Sequence, residues 1–228
     1  MPKFIYLVIL FVCAATSIFA QEKATETIYY NISPVGISEY QDLGLVDFRG
    51  RKLNLVIFKT EVAGFKDTEK IYSDPSNGLP LWVERDISMW LKKEYITEQY
   101  IPQAKSLMIT KYNKARNKKI EQHFFTADGP IHNAVLLPFI IRREPNLTIG
   151  WSYDIRLPDK MKVTLASIEE VAVPAGKFKA YHFTSVPHKF EIWITADKAR
   201  IPVKIKGVGF PYTLVMEKRA IGKEVISP

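Results

Sequence analysis

Ile149-Gly150-Trp151-Ser152-Tyr153-Asp154-Ile155-Arg156-Leu157 decides the fold class. Ile149, Trp151, Tyr153, Ile155 and Leu157 alternate with Gly150, Ser152, Asp154 and Arg156. Successive side chains of a strand point to opposite faces, so this period of two predicts a half-buried β-strand. A helix would scatter both sets around its circumference.

The same alternation recurs outward from this stretch. Leu53, Leu55 and Ile57 interleave with Asn54, Val56 and Phe58. Beyond Met161 the pattern predicts strands over 161–168, 177–185, 190–195, 202–206 and 212–218. Turn chemistry separates the runs: Arg49-Gly50-Arg51, Asp74-Pro75-Ser76-Asn77-Gly78, Leu157-Pro158-Asp159-Lys160 and Pro174-Ala175-Gly176-Lys177 supply positive φ or fix φ. Short spacing between such turns implies antiparallel neighbours. The charged stretch 79–99 fits a surface helix or two strands. Leu81, Val83, Arg85 and Ile87 alternating with Trp82, Glu84, Asp86 and Ser88 favours strands, with Pro80 at a tolerated strand start.

One segment breaks the period. After Asp128-Gly129-Pro130 comes an apolar run, Ile131 to Ile141, closed by Arg142-Arg143. Acidic residue and proline first, arginines last and apolar side chains all round describe a buried helix. Pro138 inside it removes a hydrogen bond, so the expectation is a helix kinked there or two short pieces.

Residues 1–20 read as a secretory signal: Lys3, an apolar run from Phe4 to Ala15, and cleavage expected after Ala20. The run is too short for a spanning helix. The one cysteine, Cys13, lies within it, behind Phe11 and Val12, which are bulky for a lipoprotein-processing box. A mature chain of residues 21–228 then has no thiol, which excludes disulfides and thiolate chemistry. The expected location is the periplasm or cell envelope. With 47% apolar residues the remainder folds as one domain, and its formal net charge, +8 for the whole chain, attracts anionic envelope partners rather than nucleic acid.

Catalytic signatures are missing. No Gly-x-Ser-x-Gly elbow, phosphate-binding glycine loop or His-Glu-x-x-His helix occurs, and Gly207-Val208-Gly209 reads as a bend between strands. His123, His132, His182 and His188 sit on separate elements without metal-ligand spacing. Glu84 with Asp86, Glu94 with Glu98, and Glu169-Glu170 are paired carboxylates with basic neighbours, as solvated sheet surfaces have. The expectation is no catalytic residue, no metal and no cofactor.

Two features invite binding. Lys111, Lys114, Arg116, Lys118 and Lys119 lie between two strand-like segments, at a hairpin tip that could touch anionic headgroups. Trp151, Tyr153, Tyr181, Phe183 and Trp193 fall on strands, where they pack a core or line a concave face for an apolar ligand.

The second half resembles a bacterial envelope family, domain of unknown function 3108. Gly129-Pro130-Ile131-His132-Asn133 ahead of the apolar run, Gly150-Trp151, Val173-Pro174-Ala175-Gly176-Lys177-Phe178, Trp193, Asp197 and Arg200-Ile201-Pro202-Val203 carry the resemblance. It implies an antiparallel half-open β-barrel wrapped around a helix, similar to the lipoprotein carriers LolA and LolB, which hold acyl chains in their concavity. It implies no catalytic residue. A binding or carrier module for lipid, lipoprotein acyl chains or another apolar ligand is therefore expected. The alternatives are a non-catalytic envelope scaffold with a basic surface and, behind that, a hydrolase. An open sheet edge permits dimers, but no oligomeric state is predicted.

Overall fold

The computed structural model describes residues 23–90, 92–113, 118–208 and 212–224; the signal segment 1–20, Lys114 and Arg116 lie outside them. The described chain is almost entirely strand: β1 (Lys23–Ser33), β2 (Ile37–Phe48), β3 (Arg51–Val62), β4 (Phe65–Ser73), β5 (Pro80–Met89), β6 (Lys92–Ile101), β7 (Ser106–Asn113) and β8 (Lys118–Thr126), then β9 (Ser152–Arg156), β10 (Lys160–Val173), β11 (Gly176–Val186), β12 (Phe190–Thr195), β13 (Pro202–Gly207) and β14 (Thr213–Glu224). All belong to one 14-stranded sheet, ordered β8-β7-β6-β5-β4-β3-β2-β1-β14-β13-β12-β11-β10-β9. Every pairing is antiparallel, as the short turns require between sequence neighbours.

The order has a simple logic. The chain meanders from β1 to one edge at β8, crosses to the other edge at β9, and meanders back until β14 pairs β1. The two edges do not pair with each other, so the sheet stays open there. It nevertheless curls. One core cluster joins Ile28 and Tyr30 of β1, Val83 of β5 and Leu107 of β7 to Val203 of β13 and Met216 of β14, and residues of the crossover fill its middle. A second cluster packs Leu137, Ile141 and Leu147 of the crossover on Ile155, Val163, Phe183 and Ile192. At roughly 1.5–3 kcal/mol per fully buried aliphatic or aromatic side chain, these clusters are the main force holding the sheet around the crossover.

The crossover is not the kinked helix expected from its apolar run. Only Leu137–Ile141 is helical (α1), with Pro138 in the first turn. There its missing N–H costs nothing, so no kink is needed. Asn133 builds the turn ahead of it: Oδ1 accepts the Val135 and Leu136 N–H groups at 2.9 and 3.2 Å. Its carbonyl accepts Leu137 N–H at 3.2 Å.

Arginines pin this segment to the barrel. Glu26 of β1 accepts from Arg142 and from Arg219 of β14, each at 2.7 Å. Burial pushes the Glu26 carboxyl up, but the two guanidinium groups outweigh that and hold it below its ordinary value. The Phe139 ring stacks on Tyr40, centroids 3.6 Å apart. Beyond α1, Arg200 donates to the carbonyls of Arg142, Glu144 and Pro145. Upstream, Arg156 pairs with Asp128 and lies so close to Gly129 that a Cβ there would meet its Cζ at 2.7 Å. A larger residue at 129 would push that guanidinium aside, whereas Gly176, with φ of 138°, is required by its turn. Among the described residues no helix is long and apolar enough to cross a membrane.

Candidate functional site

The barrel is not filled. A cavity of about 880 Å³ lies between β1, β3–β7, the seam strand β14 and the front of the crossover. That volume is at the upper end of the range for small-molecule sites. Its walls are mostly apolar: Ile32, Phe58, Val62, Leu107, Ile109 and Leu214 among them, with Ile131 and Val135 from the crossover.

The antiparallel meander fixes where the cavity opens. Turns that follow odd-numbered strands all lie at one end of the sheet, and Ser33-Pro34-Val35, Ala63, Leu157-Pro158 and Tyr212 of those turns line the cavity. The same end exposes Val35 (63%), Trp90 (82%) and Val186 (62%).

Deeper in, one wall turns polar. On β4 the buried face reads Asp67, Glu69, Ile71, because alternation puts all three on one side. Arg85 of β5 stands opposite Glu69 in register, and Glu98 of β6 is opposite Val83. Arg85 Nη2 donates to Asp67 Oδ2. Its Nε lies 3.6 Å from Glu69 Oε2. Glu69 Oε1 accepts from Asn133 Nδ2 at 3.0 Å. Tyr100 donates its hydroxyl to Glu98 at 2.6 Å. Burial pushes Glu69 up to about 7, with Arg85 and Asn133 offsetting only part of it. Asp67 Oδ1 is buried without a hydrogen-bond partner.

His132 sits beside this wall, 4% exposed. Its Nδ1 accepts the Arg156 N–H at 3.3 Å, so the neutral ring carries its proton on Nε2, which faces the Tyr153 hydroxyl at 3.2 Å. Burial and the nearby Arg156 charge lower its pKa to about 4, which keeps it neutral.

The five aromatic residues named from the sequence do not form one surface, and none lines the cavity. Trp151 stacks on Tyr153 and meets Phe183 edge-on, centroids 6.1 and 6.0 Å apart, and Tyr181 packs on the same second core cluster. Trp193 points to the other face. It pairs with His182 while Ile192 pairs with Phe183, and adjacent residues of a strand face opposite ways. There its ring stacks on His182 at 4.4 Å, lies under Lys204, and its Nε1 donates to Glu169 at 2.7 Å.

Of the basic run, Lys118 and Lys119 are exposed at the start of β8, by the same end of the barrel as the cavity mouth. Lys111 is not free: it is half-buried and bonded to Glu94 at 2.8 Å, as is Lys92 at 2.6 Å.

Ser167, His182 and Glu191 form a line on the outer face, 3.3 Å from Ser167 Oγ to His182 Nδ1 and 3.0 Å from His182 Nε2 to Glu191. The order is that of a nucleophile, base and acid, but Ser167 also donates to Glu169, and Glu191 also binds Lys206 and His188. All three residues lie on strands of the sheet, and none of them lines the cavity of about 880 Å³. Among the described residues no group of three or more His, Cys, Asp or Glu could hold a metal ion.

Sequence reasoning missed Asp67, Glu69 and the inward role of Arg85. The available signal was phase: they alternate in step with Ile71 and Val83, which face the core.

Fourteen antiparallel strands in one open sheet around an apolar chamber define the class, an all-β, barrel-like protein with an internal pocket. A family model matches residues 35–217, and the chain belongs to that family, described as protein of unknown function (DUF3108). A solved structure, the beta-barrel-like protein of domain of unknown function DUF1849 from Brucella abortus, is similar at 9% identity, covering 87% of this chain and 98% of that one with a TM-score of 0.49. No curated protein matches. Neither finding indicates a catalytic family.

Proposed function

We propose that this protein is a binding or carrier module for a lipidic or otherwise apolar ligand in a bacterial periplasm or cell envelope, built as a half-open barrel of the LolA and LolB kind. The observation that carries the reading is the cavity of about 880 Å³ with mostly apolar walls. Protein interiors normally pack to voids little larger than a water molecule, so a chamber of this size calls for an occupant. Apolar ligand surface entering it leaves water at roughly 25 cal/mol per Å².

The mouth supports the reading. Exposed Val35, Trp90 and Val186 share that end with Lys118 and Lys119. Apolar and aromatic side chains beside lysines suit contact with an anionic lipid surface, from which a ligand would be drawn. The alternative, a ligand-free scaffold with a basic edge, requires a filled barrel, and the open volume counts against it.

The test is native mass spectrometry with lipid extraction on protein purified from the periplasm without detergent. An acyl species at defined stoichiometry is the expected result. A clean apo mass, unchanged after incubation with envelope lipids, would overturn the reading.

A further inference from the structure

The two edges of the sheet are not equally closed. At β9 the crossover adds a rung: His132 donates its N–H to the Arg156 carbonyl at 2.8 Å, and its Nδ1 accepts the Arg156 N–H at 3.3 Å. β8 has no such cover, and Gln122, His123, Phe124 and Thr126 are all exposed, Phe124 at 65%. Ala127 donates to the Lys105 carbonyl at 2.9 Å, and Thr126 stands opposite Ser106 in the register with β7. Ala127 and Lys105 are therefore a hydrogen-bonded pair, and alternation turns Phe125 and His123 towards β7 in the same way. The N–H and C=O groups of Gln122, Phe124 and Thr126 point the other way, out of the edge. Among the described residues no backbone hydrogen bond reaches them.

Edge strands are usually blunted by charge, proline or a bulge, since an open row of donors and acceptors invites another strand. In β8 those devices stand in the first half: Lys118, Lys119 and Glu121, with the register shift opposite Lys111 and Tyr112. Gln122-His123-Phe124-Phe125-Thr126 has none of them. Antiparallel pairing about a twofold axis at Phe124 matches this half of the strand to itself. Phe124 meets Phe124 of the second copy and Gln122 meets Thr126, so the outward groups of one copy fall on those of the other, each pair exchanging both N–H···O bonds. The exposed Phe124 ring is covered by its counterpart. Carried past the strand end, the same register puts Lys118 and Lys119 alongside the chain just beyond Thr126, where Asp128 is exposed. Opposite charges approach there, and the two lysine pairs stay apart.

We infer that β8 is a dimerisation edge: two copies of this chain join antiparallel along residues 122–126, and two 14-stranded sheets continue as one. A second copy is the occupant that fits, because the pairing is self-matching in backbone, in side chain and in charge. The strands run in opposite directions, so the two cavity mouths face opposite ways. The inference is independent of what fills the chamber.

The test is sedimentation velocity of the purified protein at rising concentration into the high micromolar range, because a short edge makes a small interface. A reversible dimer is expected. Phe124→Lys should raise its dissociation constant about 10-fold or more. Gln122→Pro should do the same while leaving the thermal unfolding of the monomer unchanged, since the N–H it removes is not in the ladder with β7. Register is read by oxidising two further variants. Phe124→Cys places like residues about 5.5 Å apart at Cα, within disulfide reach, and should cross-link the copies. Ile120→Cys leaves them roughly 27 Å apart along the strands and should not. A protein monomeric at every concentration, its edge then free for a strand of another protein, would overturn the inference. So would a dimer unmoved by both Phe124→Lys and Gln122→Pro, or Ile120→Cys cross-linking as readily as Phe124→Cys.

Discussion

Asn133 Nδ2 donates to Glu69 Oε1 at 3.0 Å across 64 residues of sequence, tying the crossover to the cavity wall. The other end of the same amide accepts the N–H groups of Val135 and Leu136. One side chain therefore shapes the turn before α1 and satisfies a buried carboxyl. Asn133→Ala removes both functions and should cost about 2–3 kcal/mol in urea unfolding. Asn133→Asp keeps the turn's acceptor but sets a second carboxylate against Glu69. Its penalty should be larger at pH 8 than at pH 5, where protonation relieves the repulsion.

Glu69 and His132 give stability opposing pH slopes. Glu69 rises from 4.5 to about 7 on folding, so the native state binds more protons in that window and stability falls as pH rises through it. His132 drops from 6.5 to about 4, so the unfolded state binds more protons and stability is lost as pH falls from 6.5 towards 4. Wild type should show a flattened profile where the windows overlap. Glu69→Gln removes one slope. In chemical denaturation from pH 4 to 8 its stability should climb to pH 6.5 and then level, by at most about 3 kcal/mol. A profile parallel to wild type would contradict the assignment.

Cavity wall and packed core should respond differently to substitution. Ile109 lines the chamber and is half-buried, whereas Ile71 is fully enclosed. Ile109→Trp should fill space, weaken apolar-dye binding at least severalfold and change stability by less than about 1.5 kcal/mol. Ile71→Ala should cost about 2–5 kcal/mol. Dye titration and thermal unfolding of the same two variants check both statements.

Charge at the mouth is expected to govern membrane contact. Lys118→Glu with Lys119→Glu should lower partitioning onto anionic vesicles by roughly 10-fold or more, at about 1 kcal/mol for each lysine lost. The wild-type interaction should fade with added salt. Neutral vesicles should bind both proteins equally in a sedimentation assay. Lys111→Glu is a poor probe of the same idea, because it also breaks the bond to Glu94.

Much of this was legible in sequence, for a physical reason. Strands with one buried face write their period into the chain, and the predicted runs over 161–168, 177–185, 190–195, 202–206 and 212–218 fall on β10 to β14. Likewise 79–99 is two strands, β5 and β6. The run from Ile131 to Ile141 misled because a segment buried on all sides has no period to distinguish helix from turn. The decisive chemistry was local, Asn133 as a turn-builder and Pro138 in a first helical position. The cavity wall stayed hidden because charge usually marks the solvent face, yet Asp67, Glu69 and Arg85 point inward. No local signal announces the pairing of Tyr30 with Met216, since the partners are written at opposite ends of the chain.

That central seam sets the two ends of the described chain side by side. β1 and β14 join the halves of the sheet, and Ile32 and Leu214 on them line the chamber. In the strand order no other pairing ties β1–β8 to β9–β13. A chain cut before Thr213 therefore divides one sheet into two and takes a wall out of the pocket.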